Sequence, residues 1–166
     1  MTVAAEFSRC LPVDRIAAGG ITQHIEATAD ECAALAARLA VPAVLDFACT
    51  FRLGRGTAGR VTAAGRLRAR LLRDCVVSLE PFACDVSEDF AVAFVPEGTL
   101  DAALDLAADD EIPYAGAAID LGEAAVEQLA LILDPYPRRP GVALAEDADA
   151  APESPFAALA ARRADR

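Results

Sequence analysis

The sequence contains no lysine and no tryptophan, one histidine, and no charge-free run of eighteen residues. Without lysine there is no G-x-x-x-x-G-K-S/T loop. Gly54-Arg55-Gly56 leads into a strand-like stretch rather than a helix, so a phosphate-binding fingerprint is excluded as well. All 15 basic residues are arginine, the style of a GC-rich genome. The lone His24 falls on the polar face of Ile21–Glu26, where a His-dependent triad or general base has no nucleophile beside it. With no tryptophan, two tyrosines and seven phenylalanines, large side chains are few. Alanine accounts for 40 residues and buries little area each, so the 55% hydrophobic content overstates the core, which must rest on Leu, Val, Ile and Phe. The missing apolar run argues against a transmembrane helix. The N-terminal MTVAAEFSRC carries Glu6 and no apolar h-region, so no signal peptide is expected. Five scattered cysteines, at 10, 32, 49, 75 and 84, fit a reduced cytoplasmic protein better than a disulfide scaffold. Cys49 has the phase of a buried, inert thiol. Cys75 and Cys84 flank a turn, but two thiols do not close a zinc site. No metal, no cofactor and no catalytic constellation is expected, hence no enzyme.

What is present reads as a single α+β domain over residues 1–140 with a flexible acidic tail at 141–166. Residues 5–27 look extended, with a turn at Gly19-Gly20. Thr28-Ala29-Asp30-Glu31 is a capping-box pattern opening a helix over about 29–40, which Val41-Pro42 ends. From Ala43 to Leu53 every odd position is apolar, and the same holds from Val61 to Leu71. That period of two predicts a long hairpin, about 43–73, with one oily and one polar face in an antiparallel sheet. Cys75 to Leu79 is expected to prolong the second strand. A further strand is expected from Cys84 to Val95, with Val86, Phe90, Val92 and Phe94 inward. Residues 96–113 are acidic and read as a loop, with a short helix near 100–106. Asp120 caps a second helix over about 121–134, with Leu121, Ala125, Leu129 and Ile132 as its buried stripe and Asp134-Pro135 as its stop. Pro135-Tyr136-Pro137-Arg138-Arg139-Pro140 is stiff polyproline-like chain. Residues 141–155 have the composition of disorder, and Ser154–Leu159 starts a last short helix.

Charge is segregated. The net charge is -11, yet residues 52–73 hold Arg52, Arg55, Arg60, Arg66, Arg68, Arg70 and Arg73 and no acid. Arg66, Arg68 and Arg70 recur every second residue of a strand, roughly 7 Å apart. That is near the spacing of successive phosphates along a nucleic-acid strand, and arginine pairs bidentately with phosphate. One reading is a surface for RNA backbone; no aromatic interrupts the arginines, so base stacking is not supported. The other is a solvated face that pairs with the chain's own acidic 96–111 segment.

Three blocks then stand in order. The first is Cys75-Val76-Val77-Ser78-Leu79-Glu80-Pro81-Phe82, followed by a strand ending Phe90–Phe94. The second is Ile119-Asp120-Leu121-Gly122-Glu123, continuing through Glu127–Leu131 to Asp134-Pro135-Tyr136-Pro137-Arg138. The third is Ser154–Leu159. Together they resemble the YceD family, the large-ribosomal-RNA accumulation proteins of bacteria and plastids, in the style of its alphaproteobacterial members. The resemblance runs from about residue 5 to 160. It implies a non-enzymatic ribosome-biogenesis accessory protein needed for normal levels of large-subunit ribosomal RNA. Such genes commonly sit beside one for a small large-subunit ribosomal protein. The resemblance gives the process rather than the contact; from the charge pattern, the arginine hairpin is expected to touch large-subunit ribosomal RNA, or alternatively the acidic segments at 96–111 and 146–153 engage a basic large-subunit ribosomal protein without RNA contact. Many members carry Cys-x-x-Cys where this chain has Cys75 and Ser78, and serine is a poor zinc ligand. Cys75 is therefore expected to be a packed, structural thiol, with Glu80 and Pro81 setting a turn beside it.

Overall fold

The computed structural model describes residues 5–98 and 110–142. The acidic 99–109 stretch, the tail beyond 142 and the Ser154–Leu159 block lie outside the described residues. The chain order is β1 (Cys10–Pro12), a 3-10 turn (Val13–Arg15), β2 (Ile21–Glu26), α1 (Ala29–Arg38), β3 (Ala43–Arg55), β4 (Val61–Asp74), β5 (Pro81–Pro96), β6 (Asp110–Tyr114), β7 (Ala118–Asp120) and α2 (Leu121–Ile132). The fold is α+β. One sheet runs β2-β3-β4-β5-β6, and β1 pairs with β7 in a second, small one.

The hairpin of β3 and β4 is its spine, because the two-residue period on both strands gives them one apolar face to bury. Phe47, Cys49, Phe51 and Leu53 on β3, with Val61, Ala63, Leu67, Ala69 and Leu71 on β4, are all buried on that face. Gly65 stands between Phe51 and Phe90 in the cross-strand row. Those two rings meet edge to face at 5.6 Å over the space a side chain at 65 would fill. Phe7 reaches the same core and meets Phe47 edge-on at 5.5 Å. Each such ring contributes on the order of 2 kcal/mol by leaving water.

Both helices form where a side chain supplies the missing acceptor. Thr28 and Glu31 close a reciprocal capping box at α1. Asp120 accepts from the N–H groups of Gly122 and Glu123 at α2. α1 ends two residues earlier than expected, and Ala40 follows with a positive φ of 52°. α2 likewise stops at Ile132, because Leu133 is already extended. The helices and the N-terminal segment cover one face of the large sheet. Among the described residues no element covers the opposite face, where Thr22, His24, Arg52, Arg68, Asp85 and Asp89 are all exposed.

Four expectations need correction. The odd-residue face of β3 fails at its start: a bulge between Val44 and Asp46 shifts the phase, so Val44 is buried at 7% and Leu45 is 52% exposed. Cys75 to Leu79 does not prolong β4. Leu79 adopts a φ of 58°, and Cys75 exchanges backbone bonds with Leu79 and Glu80, which turns the chain so that Asp74 pairs with Pro81. Pro81 therefore opens β5, which begins three residues before the expected Cys84, rather than setting the turn. Finally, part of the expected 96–113 loop is strand β6, and it runs parallel to β5, so the large sheet is antiparallel only from β2 to β5.

Candidate nucleic-acid interface and the family motifs

The seven arginines of 52–73 divide between two faces. Arg52 on β3 and Arg66, Arg68 and Arg70 on β4 project from the uncovered side, as their strand phase requires. Arg66 grips Asp89 with two bonds of 2.6 Å, and Arg70 faces Asp85 at 3.6 Å. Both acids are the cross-strand neighbours on β5. Arg60, at the hairpin tip, pairs with Glu111 of β6. Arg55 and Arg73 follow the other strand phase, and Arg73 donates to the carbonyl of Asp134. Among the described residues the arginines are thus partly satisfied within the protein, Arg66 and Arg70 by β5 and Arg60 by Glu111; most of the 96–111 stretch lies outside those residues. Arg52 and Arg68 form no ion pair among the described residues, although Arg52 is close enough to join Arg66 in holding the Asp89 carboxyl below its ordinary range.

The first motif is a tight turn built around a thiol. Cys75 is fully covered by its neighbours in the turn that follows β4. The Ser78 hydroxyl and the N–H groups of Arg139, Ser78 and Val77 all donate to its sulfur, the Arg139 N–H at 3.3 Å. These donors favour the thiolate and hold Cys75 at about 6, the Ser78 hydroxyl contributing most. Ser78 therefore solvates the sulfur of a thiol that is itself fully packed. By contrast, burial pushes Cys49 up to about 12, as its strand phase implies. A chain with the other four cysteines replaced by serine should show thiolate ultraviolet absorbance rising with a midpoint near 6, and Ser78→Ala should move it upward. A midpoint near the ordinary 9.0 would refute the thiolate cradle. Because the folded thiol ionises below the unfolded one, its contribution to stability is absent below pH 6 and grows until about pH 9.

The same turn anchors the proline-rich block. Val76 donates to the Pro137 carbonyl at 2.9 Å, and Arg139 pairs with Glu80 at 2.8 Å. Asp134 accepts from the Tyr136 N–H at 2.8 Å, closing the bend that ends α2. Tyr136 and Arg138 are exposed. Arg139 was invisible from sequence as a partner of this turn, because 64 residues separate it from Cys75 and no local pattern links them.

The Asp120-Leu121-Gly122-Glu123 motif is a junction. Asp120 accepts from Ser8 Oγ and from the Arg9 N–H as well as capping α2. Leu121 donates its N–H to the Arg9 carbonyl at 3.1 Å. Glu123 pairs with Arg38 of α1, which also bonds Glu6. Arg9 in turn forks onto Glu31 and lies 4.4 Å from the centre of the Phe7 ring. The motif ties the N-terminal segment and both helices into one layer.

Among the described residues no helix is long and apolar enough to cross a membrane, and no group of three or more His, Cys, Asp or Glu side chains is placed to hold a metal ion. No curated protein and no solved structure matches the chain. The family model of the large ribosomal RNA subunit accumulation protein YceD matches residues 63–161, from the arginine strand through the thiol turn, the α2 junction and the proline block. That match spans more than half of the 166 residues and takes in all three blocks, and the chain belongs to the YceD family.

Proposed function

We propose that this protein is a non-catalytic cytoplasmic accessory of large-subunit ribosomal RNA accumulation that meets RNA phosphates through its uncovered sheet face. The family's name supports the process. The observation that carries the contact is the gathering of Arg52, Arg66, Arg68 and Arg70 on a face of the sheet that neither described helix covers. Arg66 and Arg70 are held in place by Asp89 and Asp85, so they frame the surface. Arg52 and Arg68, in no direct ion pair among the described residues, are the groups with full capacity for phosphate. Such binding is driven by counterion release and weakens steeply with salt.

The test is binding of the full chain to large-subunit ribosomal RNA fragments across a salt series. Arg52→Gln with Arg68→Gln removes two contacts and should flatten the slope of log affinity against log salt by about 1.5. An unchanged slope would end the reading. The carboxylates that balance Arg66 and Arg70 favour a second reading, an assembly module that engages a basic ribosomal protein and never touches RNA. No RNA binding at any salt, with a nuclease-resistant association with such a protein, is its signature.

A further inference from the structure

β4 covers one side of β5 along Pro81–Phe94, but β6 covers the other side only along Val92–Pro96. From Pro81 to Ala91 the second edge of β5 therefore has no strand beside it among the described residues. In an antiparallel pair, alternate residues turn their N–H and C=O groups away from the partner. Here those groups form an open ladder longer than either outer strand of the sheet, β2 or β6. Long free edges are usually blunted by proline, a bulge or charged side chains. From Phe82 to Ala91 this one has no proline and no break in its register with β4; its guards are the carboxylates Asp85, Glu88 and Asp89, which repel an acidic strand and leave the edge open to a basic one.

The side chains along the edge specify what would fit. On the core side Phe82, Cys84, Val86 and Phe90 are half-buried and leave apolar notches, interrupted by the exposed Glu88 between Val86 and Phe90. On the uncovered side Asp85, Ser87 and Asp89 alternate with them. Charge also alternates across the sheet. One cross-strand row reads Asp46, Arg70, Asp85, and another reads Thr50, Arg66, Asp89. The next position in both rows favours a cation, because opposite charges side by side on neighbouring strands stabilise and like charges repel. Glu88, exposed on the same edge, adds a third carboxylate. A second copy of this chain is a poor occupant: antiparallel pairing about Ser87 would set Asp85 against Asp89 twice.

We propose that the Phe82–Ala91 edge of β5 docks an extended segment of a partner protein in which basic residues alternate with apolar ones, added to the sheet as a further strand. Backbone bonds supply affinity in this mode, and the alternating side chains supply selectivity. The edge adjoins the arginine face and shares Asp85 and Asp89 with it, but docking there does not depend on RNA contact.

The probe is a synthetic nine-residue peptide alternating arginine and valine, titrated into the full chain. Its control is the same peptide with every internal amide N-methylated, which keeps charge and apolar content but cannot join a ladder. The plain peptide should bind at least about tenfold more tightly. The outward-facing amides between Phe82 and Ala91 should exchange rapidly in the free protein and become protected on binding. Asp85→Asn with Asp89→Asn should weaken binding severalfold while the variant's other amides stay protected, showing that it still folds. Equal binding of the methylated peptide, no gain in protection, or indifference to the asparagine pair would overturn the proposal. So would slow exchange of these amides before peptide is added, which means the edge is already occupied by the chain itself or by a second copy.

Discussion

Replacing Gly122 with alanine is expected to destabilise the protein by about 3 kcal/mol, although the same change inside an ordinary helix stabilises by roughly 0.5–1 kcal/mol. A Cβ at this position would lie 2.5 Å from the Phe7 carbonyl oxygen and 3.0 Å from the Arg9 nitrogen. Both are backbone atoms, so no rotamer change relieves the clash. The N-terminal segment must lift from α2. Lifting it breaks the Arg9 N–H bond to Asp120 at 2.8 Å and the Leu121 N–H bond to the Arg9 carbonyl, and it withdraws the fully buried Phe7 from beside Phe47. Overpacking alone costs about 1–3 kcal/mol, and the lost bonds and ring contact add to it. Urea unfolding checks this: the midpoint should fall with the slope unchanged. A variant as stable as the parent would mean that residues 7–9 yield freely, and the close approach would then have no structural meaning.

That glycine illustrates what the sequence could and could not disclose. Both helices were legible because their start signals are local: Thr28 and Glu31, three residues apart, close a capping box at α1, and Asp120 caps α2, where Glu123 turns to Arg38 instead of back to the cap. The β3–β4 hairpin was legible because a period of two sustained over a dozen residues matches a half-buried strand and not a helix. Asp120 was legible as a cap but not as the acceptor for Ser8 and Arg9, which lie over a hundred residues away. The β3 bulge was hidden because Ala43, Val44 and Leu45 are all apolar, so composition does not say which of them turns inward; the structure buries Val44 and exposes Leu45. β6 was hidden because Asp110-Glu111-Ile112-Pro113-Tyr114 carries two acids and a proline, which read as loop. A parallel edge strand tolerates them because Asp110, Glu111 and Pro113 are exposed.

The candidate site was legible in outline. Strand phase places Arg66, Arg68 and Arg70 together, and that holds. Their neighbours were not legible: the acids that meet Arg66 and Arg70 come from the adjacent strand, Asp89 and Asp85, because β5 pairs with β4 along its whole length. Cross-strand register is a tertiary fact, and it decides how much of the +7 remains for a partner. The residues before LEPF read as a continuing strand, and the left-handed Leu79 overturns that. Leucine at positive φ is uncommon, so nothing in its chemistry announces the turn.

Asp120→Ala should cost about 3 kcal/mol near neutral pH and should also flatten the protein's acid sensitivity. The first effect follows from what the carboxylate holds. Losing a helix cap costs about 1–2 kcal/mol, and leaving the partly buried Arg9 N–H without an acceptor adds about 1–3 kcal/mol. Asp120→Asn keeps an acceptor and should lose roughly half as much. The second effect follows from proton linkage. Burial pushes the Asp120 carboxyl up, but bonds from Ser8 Oγ and from the N–H groups of Arg9, Glu123 and Gly122 outweigh it and leave it below its ordinary 3.8. Glu31 is held at about 2, first by the Arg9 guanidinium and then by Thr28. For both acids the unfolded chain takes up the proton first as pH falls. Their stabilisation is complete above about pH 4.5 and is lost progressively as pH falls toward 2. Removing the Asp120 carboxylate deletes its share of that loss. Urea midpoints of the parent and Asp120→Ala should therefore differ most near neutral pH and converge as pH falls toward about 2. A gap that stays constant with pH would mean that Asp120 stabilises through packing alone. Convergence would identify the junction of the N-terminal segment, α1 and α2 as an acid-sensitive point of this fold.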